Sequence, residues 1–271
     1  MFVSIRKRVA LGAILLGIAV PVRSALAQPF NGLVSRPRVF NDYPNSTLTI
    51  TNSNSIPGSA SIDDRNMVNA TQTGANRHDI LLSKDGGATA VILSNNQPFT
   101  VSASITLTDG ANAPRKEAGL RINSSQASGV GDNLFIINSD AGEIVAFGGP
   151  FFNFRDPGGF NEPAYVPGQT ILMGMTYRPG VPTTTGATPA TLEYFINRGS
   201  GIRSSGPLAY SNLEGGPVDF ELGFYAQGGS AGANDFFHVT FDNINAIVPE
   251  PTGLSLVALA GVALLKRRRA A

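Results

Sequence analysis

Asp219-Phe220-Glu221 places two carboxylates at i and i+2 of an alternating segment, on one face of a strand. Paired carboxylates are what a retaining glycosidase needs, one as nucleophile and one as acid, about 5–5.5 Å apart. Position 217, two residues before Asp219 on the same face, is proline, and no further acid follows closely after Glu221. The pair therefore reads as solvated surface. His238 shares a strand face with Thr240 and Asp242, but no Gly-x-Ser-x-Gly accompanies it and it reads as polar surface. His78, in Asn76-Arg77-His78-Asp79, reads as part of a loop.

Two other chemistries have candidates. Calcium takes six to eight oxygen ligands, and Asp132, Asp140 and Asp235 lie in oxygen-rich turns, although none has the ordered spacing of an EF-hand. Sugar binding uses exposed aromatic faces beside polar groups. Tryptophan is absent, but Tyr165, Tyr177, Tyr194, Tyr210 and Tyr225 are available. The segment Phe151-Phe152-Asn153-Phe154-Arg155 is either an aromatic platform or an edge strand. Tyr194, Asp219, Glu221, Tyr225 and His238 together form the candidate ligand-binding set. Gly199–Gly206 superficially resembles a phosphate loop but lacks its lysine and the following helix.

The composition removes other classes. There is no cysteine, which excludes a disulfide scaffold, a thiolate metal site and a cysteine nucleophile. Two histidines are too few for a multi-histidine centre. Eight of the 20 basic residues lie in residues 1–27 and 266–269, and Glu250 is the one acid outside 28–248, so that body carries a charge near −6. A basic stripe for nucleic-acid phosphates is missing.

The elements that must position these residues read as strands. Phe99, Val101, Ala103, Ile105 and Leu107 alternate with Thr100, Ser102, Ser104, Thr106 and Thr108. Ile171, Met173 and Met175 share one face, as do Phe220, Leu222 and Phe224, and again Phe237, Val239 and Phe241. Turn signals such as Asp85-Gly86-Gly87, Asp109-Gly110 and Pro179-Gly180 separate the strands. No segment of the body sustains a helical period for more than about two turns. Apolar inner faces with Ser/Thr outer faces predict an all-β fold, an antiparallel β-sandwich with one solvated side on each sheet.

The ends differ from this body. Arg6-Lys7-Arg8, an apolar run from Val9 to Val20, Pro21, and small residues at Ala25 and Ala27 have the order of a signal peptide over 1–27, with Gln28 as first mature residue. At the other end, Pro249-Glu250-Pro251 precedes an uncharged hydrophobic helix from Thr252 to Leu265, then Lys266, Arg267, Arg268 and Arg269. Fourteen helical residues reach about 21 Å, short of a hydrocarbon core of about 30 Å. A basic end of this kind stays on the cytoplasmic side, with the body outside.

This order and spacing resemble the PEP-CTERM sorting signal of Gram-negative bacteria. The resemblance covers about residues 248–269 and implies recognition and tail removal by an exosortase after transient anchoring in the inner membrane, with signal peptidase acting at the other end. Substrates of that system are associated with exopolysaccharide, biofilm and the cell surface. Residues 99–245 resemble the concanavalin A-like lectin/glucanase jelly roll in pieces such as Ala118-Gly-Leu-Arg-Ile, Asn133-Leu-Phe-Ile-Ile and Phe237-His-Val-Thr-Phe-Asp-Asn-Ile.

The expectation is therefore a signal peptide (1–27), a β-sandwich body (28–248) and a sorting signal (249–271). The protein is expected at the cell surface or in the extracellular matrix, as a binding or structural component rather than an enzyme. Extracellular polysaccharide is the expected partner, and calcium the one cofactor the turns allow. A lectin-like module, or a glycan hydrolase on the same fold, is the alternative.

Overall fold

The computed structural model describes residues 30–71, 73–124, 131–183, 186–210 and 218–248. The signal-peptide and sorting-signal residues, Ala25, Ala27, Pro249–Pro251 and Lys266–Arg269 among them, lie outside these. Among the described residues no helix is long and apolar enough to cross a membrane.

The strands are β1 (Gly32–Asn41), β2 (Thr47–Asn52), β3 (Gly58–Arg65), β4 (Asn76–Ser83), β5 (Ile92–Leu93), β6 (Phe99–Asp109), β7 (Lys116–Asn123), β8 (Asp132–Asn138) and β9 (Ile144–Phe147). They continue with β10 (Phe152–Asn153), β11 (Thr170–Arg178), β12 (Val181–Thr183), β13 (Gly186–Thr188), β14 (Thr191–Asn197), β15 (Ile202–Ser204), β16 (Leu208–Ala209), β17 (Phe220–Gly228) and β18 (Phe236–Ile247). A first sheet runs β1-β4-β17-β7-β8-β9-β10 and a second β15-β14-β11-β6-β18-β3-β2. β5 and β16 pair with β17 and β14, while β12 and β13 form a separate ribbon. Every pairing is antiparallel.

The two sheets face each other in a jelly-roll sandwich. Ile80, Leu120, Phe135, Leu222 and Phe224 from the first sheet pack with Val101, Ile105, Met173, Val239 and Phe241 from the second, all essentially buried. Phe99 meets Phe220 edge-on with ring centres 5.4 Å apart, and Phe224 meets Phe241 at 5.3 Å. These contacts join strands of different sheets, so burial of each alternating apolar set closes the sandwich.

The outer faces differ from each other. On the second sheet, Thr51, Ser61, Thr240, Thr106 and Thr170 stand in register across β2, β3, β18, β6 and β11. This is the expected hydroxyl face. The first sheet departs from expectation: every residue of β4 and β7 is buried, on both faces. Its outer side holds an apolar cluster of Leu134, Ile136, Val145 and Tyr225 beside a set of charges. His78 also departs from the loop reading, lying fully buried in β4. Within residues 151–155, Phe152–Asn153 form the last strand of the sheet, as the edge-strand reading expects, with Phe154 in the core and Phe151 exposed.

Candidate functional site

The outer face of the first sheet gathers its charges through register. Arg36 of β1 pairs with Asp79 of β4, Asp79 with Tyr225 of β17, and Tyr225 with Gly119 of β7. Glu221 pairs with Asn123, and Asn123 with Asp132 of β8. Since paired residues of an antiparallel ladder share a face, these side chains stand together on one surface. Gly119 and Gly223 occupy outward positions among them. A Cβ would come 2.0 Å from the Phe135 carbonyl oxygen at Gly119 and 2.2 Å from that of Ile80 at Gly223. Glycine is therefore required where the neighbouring strands approach.

At the centre, two guanidiniums and two carboxylates form a closed ring. Arg77 reaches Asp79 Oδ1 through Nε and Asp132 Oδ2 through Nη1, both at 3.2 Å. Arg121 donates Nη1 to Asp79 Oδ2, and Nη2 to both oxygens of Asp132 at 2.9 and 3.0 Å. The Arg77 guanidinium lies 4.5 Å over the centre of the Tyr225 ring, and Tyr225 donates its hydroxyl to Glu117 Oε1 at 3.1 Å. Beside the ring, Arg36 grips Glu221 with two parallel bonds of 2.8 and 2.7 Å. Asn123 donates to Glu221 Oε2 at 2.7 Å.

Burial dominates the electrostatics. It raises Asp79 above the ordinary carboxylate range against the pull of Arg121 and Arg77, and it raises Glu117 against Arg115. Tyr225 lies well above the ordinary phenol value through burial, then the Glu117 charge. Arg36 is raised chiefly by its hydrogen bond to Glu221. Two donors remain unspent: Arg77 Nη2 and Arg121 Nε are buried without a hydrogen-bond partner, on residues each 4% exposed. Buried polar groups are nearly always paired, so these two N–H groups are a cost to the fold, and they lie beneath the surface rather than on it. What the array offers outward is the Arg36 guanidinium and the Asp132 carboxylate, each fixed by buried partners and so placed to orient hydroxyl groups.

The candidates chosen from sequence are scattered by the fold. Glu221, Tyr225 and Asp132 lie in the array. Asp219 precedes β17, exposed, and accepts a bond of 3.0 Å from the Asn95 amide. The solvated Asp219–Glu221 pair is thus corrected: Glu221 is 5% exposed and committed to Arg36 and Asn123. Tyr194 is in the core, donating to the Pro150 carbonyl and accepting from Asn133, so it presents no face to a ligand. Tyr165, Tyr177 and Tyr210 are buried likewise. His238 lies on the other sheet's outer face, 3.8 Å from Asp63.

The three calcium candidates are apart, and each already faces a cation. Asp132 is held by Arg77 and Arg121, Asp140 by Arg115 at 3.3 Å, and buried Asp235 by the Lys116 ammonium at 2.7 Å. Among the described residues no group of three or more His, Cys, Asp or Glu side chains is placed to hold a metal. Sequence reasoning missed Arg36, Arg77, Asp79, Glu117, Arg121 and Asn123. The available signal was charge at alternate positions of strands whose other residues are apolar, as in Glu117-x-x-x-Arg121-x-Asn123.

Fold and face together define a class: an antiparallel jelly-roll β-sandwich with a self-paired, largely buried charged array on the outer side of one sheet. No protein-family model matches the chain, and no curated protein matches it in sequence. Solved structures are similar at low identity. They include the alginate lyase from Corynebacterium sp. (10% identity, TM-score 0.42, 69% of this chain and 77% of that one). Carbohydrate binding module CBM66 from Bacillus subtilis is another (15%, 0.37, 80% and 96%). Lectin UEA-II complexed with galactose is a third (11%, 0.39, 79% and 98%). The similarity is one of fold alone.

Proposed function

We propose that this chain is an exported, surface- or matrix-associated protein that binds extracellular polysaccharide through the outer face of its first sheet. The observation that carries this is the charged array, in which Arg36 and Asp132, the members that solvent reaches with side chains 34% and 19% exposed, are held in place by Glu221 and by the buried Arg77 and Arg121. A guanidinium and a carboxylate fixed at the edge of a charged face are a means of orienting sugar hydroxyls. Export, exosortase sorting and a biofilm- or exopolysaccharide-associated role rest on Ala25, Ala27, Pro249-Glu250-Pro251 and the Lys266–Arg269 cluster. The net negative body agrees with a partner other than nucleic acid.

A glycan-binding screen with the purified protein, run with calcium and again with chelator, tests the reading. Arg77→Lys and Arg121→Lys should each weaken any binding about tenfold or more, because lysine cannot reproduce the two-sided fork. Binding left intact by both substitutions would remove the face from the proposal.

A further inference from the structure

β1 does not run straight along β4. The ladder pairs Arg36 with Asp79 and resumes with Phe40 against Arg77, so Pro37, Arg38 and Val39 together stand opposite His78. Arg38 has φ of 54°, a left-handed conformation uncommon for a residue with a Cβ. Pro37 has no amide hydrogen to place in the ladder, and a bulge in an edge strand is where proline is tolerated.

His78 holds this bulge from inside the sandwich. Its Nδ1 accepts the Arg38 amide hydrogen at 2.9 Å, and its Nε2 lies 2.9 Å from Asp64 Oδ2 on β3 of the opposite sheet. Both His78 and Asp64 are fully buried. A ring that accepts at Nδ1 carries its proton on Nε2, so these partners assign the neutral Nε2–H tautomer, donating to Asp64. Asp64 Oδ2 also accepts from Asn76 at 2.7 Å.

The far side of the bulge is anchored separately. The Arg38 guanidinium donates to Asn41 Oδ1, the Tyr43 carbonyl, and the hydroxyl and carbonyl of Ser46, at 2.7 to 3.2 Å. The near side leads through Pro37 alone to Arg36 and its grip on Glu221. The charged groups at the imidazole are Asp64 from β3, bonded to the ring, and Arg38 from β1, whose amide the ring accepts; the Tyr43 carbonyl from the turn after β1 is taken by Asn76 and Arg38. β18 contributes the Phe237 ring, 6.0 Å away between centres, and β17 sets Ala226 opposite in the ladder.

We propose that His78 is a positioning residue and a pH-sensitive latch, whose neutral ring holds the β1 bulge and thereby sets Arg36 on the outer face. The latch bears on binding only insofar as that face binds glycans, as proposed above. Protonation at Nδ1 would set two N–H donors against each other across the Arg38 bond. The Asp64 side would keep its contact as an ion pair. The strain therefore falls on Arg38 and passes through Pro37 to Arg36. Histidine is the side chain whose ordinary titration lies between about pH 5 and 8.

The test is nitrogen-resolved NMR of the full chain between about pH 7.5 and about pH 5. It reads the Arg38 amide protection factor, the Arg36 Nε resonance and the His78 ring nitrogens. The expected result is an Nε2–H tautomer at the upper pH. At the lower pH, Arg38 protection should fall by about three- to tenfold, as for one lost hydrogen bond, and Arg36 should shift while core amides such as Val239 stay protected. In His78→Asn the side-chain oxygen can accept from Arg38 without titrating, so both readouts should be flat. Equal Arg38 protection at the two pH values overturns the latch. So does an Arg36 shift that persists in His78→Asn, which would trace to Asp79 or Glu221. Should that variant not fold, an Nδ1–H tautomer in the wild type at the upper pH is equally fatal. Failure to bind glycans at any pH would sink the functional reading alone, because Arg38 and Arg36 are read without sugar.

Discussion

Arg36 and Glu221 are 185 residues apart in sequence and joined by two parallel hydrogen bonds that reach over β4, from the edge strand of the first sheet to its centre. The Arg36 side chain is 34% exposed and that of Glu221 6%. The pair is therefore asymmetric, and its two halves should not be equivalent on removal. Arg36→Ala leaves a carboxylate in the sheet face with Asn123 as its remaining partner, and should cost about 1–3 kcal/mol, below a fully buried pair because water reaches the arginine side. Glu221→Gln leaves a guanidinium that water can solvate, and should cost less than about 1 kcal/mol. Urea midpoints of the two variants check this. Equal losses would mean that Glu221 is better solvated than its burial indicates.

Glu117 tests the charge balance of the same face. Burial raises its carboxyl above the ordinary range, so the folded chain binds a proton where the unfolded chain has already released it. Stability from this group is present below the ordinary value and declines as pH rises through the window up to the raised one. Glu117→Gln removes the buried charge while keeping an acceptor for the Tyr225 hydroxyl. The variant should be at least as stable as wild type at neutral pH, with a flatter decline through that window. A variant clearly less stable at neutral pH would show that Arg115, 3.7 Å away, outweighs burial.

Legibility in the sequence followed solvent. β6 and β18 lie in the sheet whose outer side is wet, and their alternation of apolar and Ser/Thr residues marks both the strand and its buried face. β4 and β7 are buried on both faces, so their outward positions carry residues selected for pairing with one another. Arg77, His78 and Asp79 in a row look like a loop, and only the partners Asp132, Asp64 and Arg121, far off in the chain, explain them. β1 was hidden by Pro37 between two arginines, which makes sense once it is an edge strand with a bulge. Of the site, Glu221, Tyr225 and Asp132 were found as isolated candidates. The guanidiniums joining them were not, because no local spacing encodes a ring closed across β4, β7 and β8.

The charge opposite Asp235 is the buried Lys116 ammonium, which also donates to the Ala111 carbonyl at 2.6 Å. Asp235→Asn should cost about 3–5 kcal/mol by stranding that ammonium. Lys116→Met should cost less, since the carboxylate keeps the Ala231 and Phe236 amides. As Asp132 and Asp140 are similarly engaged, neither calcium nor chelator should move the melting temperature. A calcium-dependent rise, lost in Asp235→Asn, would show that metal displaces the lysine.

The two chain ends make a prediction independent of the sandwich. Intact-mass measurement of the surface or culture fraction should find a species beginning at Gln28 and lacking Lys266–Arg269. A dominant product that retains the arginine cluster would defeat exosortase processing and leave a plain basic C-terminus in its place.

The last strand discriminates between its two faces. Phe241 is fully buried against Phe224, in register with Ile105 on one side and Ala60 on the other. Truncation of such a ring removes its transfer energy and leaves a cavity that the two flanking strands cannot close, at about 3–5 kcal/mol. That is a large share of a typical stability of about 5–15 kcal/mol. His238, three residues earlier, is partly exposed on the opposite face, beyond hydrogen-bond distance of Asp63. Phe241→Ala should lower the unfolding midpoint sharply, and His238→Ala should change it by no more than about 0.5 kcal/mol. A large effect at His238 would mean that its ring is held by Asp63 as an ion pair, and the outer face of the second sheet would then carry a charge interaction where hydroxyls now dominate.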